Sequence, residues 1–160
     1  MRIGLGFDLH RLIPAPNGGT VALGGVAVPA EFTVEAHSDG DVLLHAAVDA
    51  VLGALALGDI GRWFPDTDPK WKGVSSDRFA EAAVQAATER GWKVAQIDAN
   101  ILAERPKIAP VAEQIRTRLA ELFRCPLDSV SVKAKTMEGL GPIGEKKAIA
   151  AQVIVMLEKN

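Results

Sequence analysis

Gly4-Leu5-Gly6-Phe7-Asp8-Leu9-His10 opens the chain, and it is answered by His37-Ser38-Asp39-Gly40-Asp41 and then by His45. These segments hold every histidine of the protein. In an extended segment alternate side chains share a face, so Asp8 and His10 point the same way and His45 can reach them from a helix. Two imidazoles and one carboxylate form a borderline-soft donor set that suits zinc, and three protein ligands leave a fourth position open, as in a catalytic site. Taken singly, Asp-x-His is more often a surface pair than a metal site, and His45 more often a satisfied core histidine. The polar stripe favours a ligand: Asp41, His45 and Asp49 stand four apart on an otherwise apolar helix, and burying them gains nothing unless they find partners. Asp49, one turn after His45, is the candidate carboxylate to orient a ligating imidazole.

Outward from this segment, residues 2–7 and 20–28 read as short strands separated by a loop of Pro14, Pro16, Asn17, Gly18 and Gly19. Ser38 with Asp41 resembles a capping box ahead of a buried helix over 41–57. Residues 59–73 are too rich in Pro, Gly and Asp for regular structure, yet their large apolar side chains imply an ordered loop. Ser75 or Ser76 caps a helix running to Arg90 and stopped by Gly91; a strand follows over 92–104, and Pro110 starts a third helix ending near Arg124. Strands near 129–135 and 147–158 complete the chain. The last, Ala148–Leu157, is apolar on both faces apart from Gln152, which predicts helices on one side and another subunit on the other. The expected fold is α+β, a single-domain two-layer sandwich over residues 1–160 with a roughly four-stranded mixed sheet backed by helices.

At 160 residues the chain has the length of one domain, and 48% hydrophobic with 24% charged residues is ordinary for a globular protein. A net charge of -2 argues against general binding of nucleic acid or anionic membrane, while leaving room for local basic loops. Cys125 is the sole cysteine, so no intrachain disulfide forms and a reducing compartment is expected. The amino terminus carries no signal-peptide pattern, and the apolar run Val42–Leu57 is interrupted by His45 and Asp49 and too short to span a bilayer. A cytoplasmic location is the expectation.

Three further segments suit anions. His37-Ser38 at a helix start offers free N–H groups and a favourable dipole, although a plain N-cap has the same composition. Arg105-Pro106-Lys107 is a basic turn after a strand, and Lys133-Ala134-Lys135-Thr136-Met137-Glu138 adds lysines, a hydroxyl and a carboxylate; solvated loops have such sequences too. Together they point to a phosphorylated substrate.

The sequence resembles the 2-C-methyl-D-erythritol 2,4-cyclodiphosphate synthases of the non-mevalonate isoprenoid pathway over nearly its whole length. The resemblance is carried by Gly-Phe-Asp-x-His at 6–10, Ala-His-Ser-Asp-Gly-Asp at 36–41 with His45, Gly-Asp-Ile-Gly at 58–61 and Phe-Pro-Asp-Thr-Asp at 64–68. Arg-Pro-Lys at 105–107 and Thr-x-Glu at 136–138 also fit. It implies zinc on Asp8, His10 and His45, and contacts from His37 and Ser38 to a substrate phosphate. Asp59, Ile60 and Gly61 would hold the erythritol hydroxyls, with Phe64, Asp66 and Asp68 in the same substrate site. Ala103, Pro106, Lys107, Ile108 and Ala109 would form a cytidine pocket; Thr136 and Glu138 would serve the diphosphate with its Mg2+ or Mn2+. His37, Lys135, Thr136 and Glu138 are the expected catalytic set, in a homotrimer whose active sites are shared between chains.

The implied chemistry is attack of the 2-phosphate of 4-diphosphocytidyl-2-C-methyl-D-erythritol 2-phosphate on its β-phosphorus, expelling CMP without a covalent enzyme intermediate. Bringing two anions together is the obstacle, so positioning and charge neutralisation dominate. Two departures stand out. Lys135-Thr136 replaces the usual Thr-Thr, and Gly141-Pro142-Ile143-Gly144-Glu145 replaces Gly-Phe-Thr-Gly-Arg, removing the arginine associated with anion binding in the trimer's central cavity. A zinc phosphoesterase and a non-catalytic nucleotide-binding module are the other classes compatible with such a metal site.

Overall fold

The computed structural model describes all residues, Met1–Asn160. Strand β1 (Arg2–Leu23) turns back into β2 (Val26–Glu35) through Gly24-Gly25. Both glycines have positive φ, 62° and 76°, the backbone that a two-residue type I′ hairpin turn requires. The expected strand over 20–28 is therefore two arms of a hairpin, and β1 continues through the Pro14–Gly19 segment with a register irregularity rather than a break. Because the hairpin contributes two long strands, the sheet has five strands instead of roughly four, in the order β2-β1-β5-β3-β4.

Helix α1 (Val42–Ala54) follows, then the short α2 (Ile60–Trp63) and α3 (Asp77–Glu89). Strand β3 (Trp92–Leu102) leads through α4 (Ala112–Phe123) to β4 (Val130–Lys135), which pairs parallel to β3. A one-turn α5 (Gly141–Gly144) precedes β5 (Ala148–Lys159), which lies antiparallel between β1 and β3. Helices α1, α3 and α4 pack side by side over one face, and 41 buried residues form one continuous apolar cluster beneath them. No helix is long and apolar enough to cross a membrane.

Local chemistry explains where the elements start and stop. Helix α1 ends at Ala54 rather than 57, because Ala56 enters the left-handed region (φ 58°) and the Leu57 N–H returns to the Leu52 carbonyl. The 59–73 segment is more regular than its composition suggests: Asp59 caps α2 by accepting from Arg62 N–H (2.9 Å), and Asp68 caps a 3-10 turn over Pro69–Trp71. Gly91, with φ 72°, terminates α3 as expected.

The decisive packing contact joins α1 to β1. A Cβ on Gly4 would stand 1.8 Å from the Ala50 carbonyl oxygen, and one on Gly6 would stand 1.8 Å from that of Ala46. Only glycine at these positions lets the helix backbone lie on the strand. Period-2 alternation then sends Asp8 and His10 to the same helix-covered face. On the other face Ile3, Leu5, Phe7 and Leu9 stand exposed, Leu5 at 60%, beside Ile154 on β5.

Asp41, and not Ser38, caps α1. Its Oδ1 accepts from Leu43 N (3.1 Å), Leu44 N (2.9 Å) and Gly24 N (2.9 Å), and its Oδ2 from Gly25 N (2.7 Å). The fully buried carboxylate thus locks the helix start onto the β1–β2 turn, and burial pushes its pKa up. Asp41→Ala removes the cap and strands buried donors, so a loss of about 3 kcal/mol or more is expected. Asp41→Asn keeps one oxygen acceptor, for a loss of about 1–2 kcal/mol. Denaturant midpoints of the two variants check the order.

Candidate active site

Asp8 and His10 leave β1 on the face covered by α1, and His45 comes from the second turn of that helix. His45 Nδ1 lies 3.0 Å from Asp8 Oδ2 and 3.0 Å from His10 Nε2, and His10 Nε2 lies 3.1 Å from Asp8 Oδ2. The three donor atoms form a near-equilateral triangle. Four-coordinate zinc with bonds of about 2.0–2.1 Å places its ligands about 3.3 Å apart, so a small relaxation seats the ion.

The opposite ring nitrogen of His45 fixes the tautomer. Ser76 Oγ, fully buried, sits 2.9 Å from His45 Nε2, and the Ser76 hydroxyl donates to Asp39 Oδ1. An ionised carboxylate only accepts, so the serine proton goes to Asp39 and a serine lone pair faces His45. Nε2 must then carry the ring proton, which leaves the Nδ1 lone pair aimed at the Asp8–His10 pair. Ser38 Oγ, 3.2 Å from Nε2, supports the same orientation, and Ser76 N donates to Asp39 Oδ2 (2.9 Å).

Ser76 stands at the N-cap position of α3, as one of the two expected caps, but its hydroxyl makes no capping bond and belongs to the site instead. Asp49 does not orient His45 either. Its Oδ1 accepts from Ile60 N (2.7 Å), which ties α2 to α1. At the start of α1 the N–H groups of Leu43 and Leu44 are taken by Asp41.

Burial opposes charge on Asp8, but the neighbouring imidazoles outweigh it and hold the carboxyl below its ordinary range. His10 is likewise lowered from 6.5, by burial first, with the Asp8 charge pulling the other way. A lowered pKa keeps His10 neutral and able to bind metal throughout the neutral range.

The triad opens into a pocket of about 350 Å³. His10, His37, Ser38 and His45 line one side, and Ile60, Gly61, Phe64 and Asp66 line the other. The wall is aromatic: Phe64 stacks on Phe79 with ring centroids 4.5 Å apart, and Trp71 meets both edge-on. Asp59 stands at the α2 cap behind the lining, and Asp68 faces Lys70 (2.9 Å) outside it.

A second pocket, of about 140 Å³, forms where β3 and β4 end. Ala103, Pro106, Lys107, Ile108 and Ala109 meet Ala134, Lys135 and Thr136 there. The Ala103 N–H bonds to the Lys135 carbonyl (2.9 Å), and Thr136 Oγ1 donates to Glu138 Oε1 (2.8 Å). The pairing Asp8–Ala151–Ile101–Ala134 sets the two pockets three strand spacings apart, about 14 Å within one chain. At the neighbouring turn Lys147 pairs with Glu145 (2.6 Å).

The YgbB family profile matches residues 1–158. This chain belongs to the YgbB family. It is 50% identical over 159 residues to the 2-C-methyl-D-erythritol 2,4-cyclodiphosphate synthase of Solibacter usitatus (strain Ellin6076), covering 99% of this chain and 98% of that protein. The chloroplastic synthase of Arabidopsis thaliana is 49% identical over 159 residues, 99% of this chain and 68% of the longer plant protein. A solved structure of a 2C-methyl-D-erythritol-2,4-cyclodiphosphate synthase in a CDP-bound form superposes with a TM-score of 0.89 at 39% identity, covering 98% of this chain and 100% of that one.

Within this YgbB family fold, Ser76 is the site residue the sequence reading missed, along with the Phe79 and Trp71 wall. Asp39 lay inside a quoted motif, but nothing local links position 39 to position 76. Ser76→Ala should lower the affinity of the Asp8–His10–His45 site for a divalent metal about 10- to 100-fold, as loss of an outer hydrogen-bond partner typically does, with little change in secondary structure. Competitive chelator titration and circular dichroism measure the two effects. On acidification of wild type, proton competition at His10 should set in below the ordinary imidazole range, visible as release of an added divalent metal without chelator.

Proposed function

We infer that this chain converts 4-diphosphocytidyl-2-C-methyl-D-erythritol 2-phosphate into 2-C-methyl-D-erythritol 2,4-cyclodiphosphate and CMP, a step of isoprenoid precursor biosynthesis. The observation that carries the reading is the convergence of Asp8, His10 and His45 beside one pocket, with a separate basic pocket at 103–109. Its half-identity over full length to proteins named for that product supports it.

An oxygen of the 2-phosphate attacks the β-phosphorus. As that P–O bond forms, the bond from the β-phosphorus to the bridging oxygen breaks, and CMP leaves with the electron pair. Asp8, His10 and His45 would hold a divalent ion, zinc by the softness of the donor set, and Glu138 would serve as the carboxylate for Mg2+ or Mn2+. Bound there, the ions supply Lewis-acid neutralisation and a template for the two anions.

The chain's own groups do the remaining work. His37 and Ser38 contact the 2-phosphate at the mouth of the triad. Asp59, Ile60 and Gly61 hold the hydroxyls, and Phe64, Asp66 and Asp68 close that side of the site. Ala103, Pro106, Lys107, Ile108 and Ala109 receive the cytidine. Lys135 and Thr136 face the diphosphate, the lysine as a compact positive charge that neutralises a phosphate oxygen.

The working assembly in this reading is a homotrimer with shared sites. The apolar row Ile3, Leu5, Phe7 and Leu9 is too large to leave in water, and it lies on the face that the helices do not cover. Reacting phosphates must also meet at bonding distance, whereas one chain separates its triad from its β4 turn by about 14 Å. A neighbour's 103–109 pocket placed against the triad resolves both.

Incubation with the diphosphocytidyl substrate should give CMP and a cyclic diphosphate by mass spectrometry; free phosphate or an opened diphosphate would instead support a phosphoesterase. His45→Ala should lose zinc and activity together. Mixing inactive His10→Ala and Lys107→Ala chains, after subunit exchange, should restore part of the activity, and a fully active monomer in sedimentation would refute sharing. Glu138→Gln should raise the magnesium needed for turnover at unchanged zinc content.

A further inference from the structure

Glu104 follows Ala103 at the end of β3, and its carboxylate turns away from the nucleotide pocket. One oxygen, Oε1, accepts from Met137 N (2.9 Å) and from Gly139 N (3.4 Å). These two donors flank Glu138, whose backbone stands in the left-handed region at φ 52°. A residue with a side chain occupies that region only when its surroundings impose it.

The surroundings here are few and specific. Gly139 follows at φ 79°, and the Leu140 N–H closes onto the Met137 carbonyl (2.8 Å). Gly144 backs the turn so closely that a Cβ there would stand 2.3 Å from Gly139 C. Thr136 Oγ1 holds the Glu138 side chain at 2.8 Å. The side chain that hydrogen-bonds to this turn from outside its own strand–turn segment is Glu104, which shares its backbone with the wall of the 103–109 pocket.

We propose that Glu104 is a positioning residue that fixes the Thr136–Glu138 turn relative to the 103–109 pocket and so sets the preference of the site for a nucleoside diphosphate over a monophosphate. The inference rests on the reading of 103–109 as the cytidine pocket and of Glu138 as the magnesium carboxylate. A nucleoside anchored by its base presents its phosphates at a fixed reach. A diphosphate offers a cation held by Glu138 a second phosphate that a monophosphate lacks, so the gain from magnesium depends on how firmly that carboxylate is held at that reach. Ionised acceptors make the stronger hydrogen bonds, and a carboxylate committed to backbone donors repels the substrate's phosphates less than a free one.

Calorimetry with CMP and CDP, each with and without magnesium chloride, tests this on the full-length protein and on Glu104→Ala, Glu104→Asp and Glu104→Gln. Wild type should bind CDP more tightly with magnesium and CMP indifferently. Glu104→Ala should lose about tenfold or more of that magnesium-dependent gain, the range seen when a partner orienting a metal ligand is removed, while CMP affinity stays within about twofold. Glu104→Asp, one methylene shorter, should resemble Ala; Glu104→Gln, whose amide oxygen still accepts both N–H groups, should retain most of the gain. Zinc content and melting temperature verify that each variant is folded.

An undiminished magnesium gain in Glu104→Ala would overturn the proposal, as would a loss in Glu104→Gln equal to that in Glu104→Ala or a parallel loss of CMP binding. Failure of wild type to bind either nucleotide would instead overturn the reading of the pocket, and this inference with it.

Discussion

The contact between α1 and the bare backbone at Gly4 and Gly6 is the constraint on which the site depends. Two strand residues advance about 6.6 Å and four helix residues about 6.0 Å, so the two elements run in near step. Gly4 meets Ala50 and Gly6 meets Ala46 in opposite chain directions. The next match places Asp8 level with Val42, where the helix begins. Side chains on a helix lean toward its N-terminus, so His45 reaches back to that level and meets Asp8 and His10. Ala46, Ala50 and Ala54, all buried, keep the helix surface thin along this seam. A larger residue at Gly4 or Gly6 would lift α1 and carry His45 away from its partners.

The same alternation determines what the sheet shows to its surroundings. From Gly4 to His10 the even-numbered residues of β1 face the helix and include the Asp8–His10 pair of the candidate metal site; the odd-numbered Leu5, Phe7 and Leu9 face outward and are apolar. On β5 the outward residues opposite them include Gln152 and Ile154, and on β3 Asp98 and Asn100 continue the row. The open face thus grades from apolar at β1 to polar at β4, where Lys133 pairs with Asp98. One strand supplies two members of the triad on one face and the apolar surface on the other, so the site and the open face draw on a single alternating pattern.

That pattern is why the triad was legible in the sequence. Asp8 and His10 differ by the strand period, and His45 stands out on an apolar helix. The five residues of the 103–109 turn that were read as one pocket do line one pocket, because they are contiguous. What escaped reading depends on distant partners. Ser76 has every property of a helix cap, and only the fold brings it against Asp39, 37 positions away, and His45, 31 away. Asp49 shares the stripe of His45, yet the chain's return at Ile60 takes its carboxylate first. Gly24-Gly25 fell inside a run of valines and alanines that reads as one strand, although two adjacent glycines are what a tight hairpin needs. Local pattern finds residues whose geometry is set by their own element, and it misses those whose role is set by a second one.

The electrostatic problem shows why those second elements matter. The chain carries a net charge of -2, and its proposed substrate carries a diphosphate and a further phosphate. Several carboxylates stand close to where those phosphates would sit, and left free they would repel them. Nearly all are committed: Asp39 to Ser76, Asp41 to four backbone donors, Asp49 to Ile60, Asp59 to Arg62 and Glu104 to the turn at 137–139. Asp8 sits among imidazoles, and Glu138 touches only the Thr136 hydroxyl. With Asp66 on the pocket wall, these are the acidic groups left with capacity to spare, and Asp8 and Glu138 have the chemistry of metal ligands. In the proposed reading, an acidic protein holds a polyanion by satisfying most of its carboxylates on its own N–H and O–H groups, which leaves Asp8 and Glu138 to recruit the cations that the reaction needs.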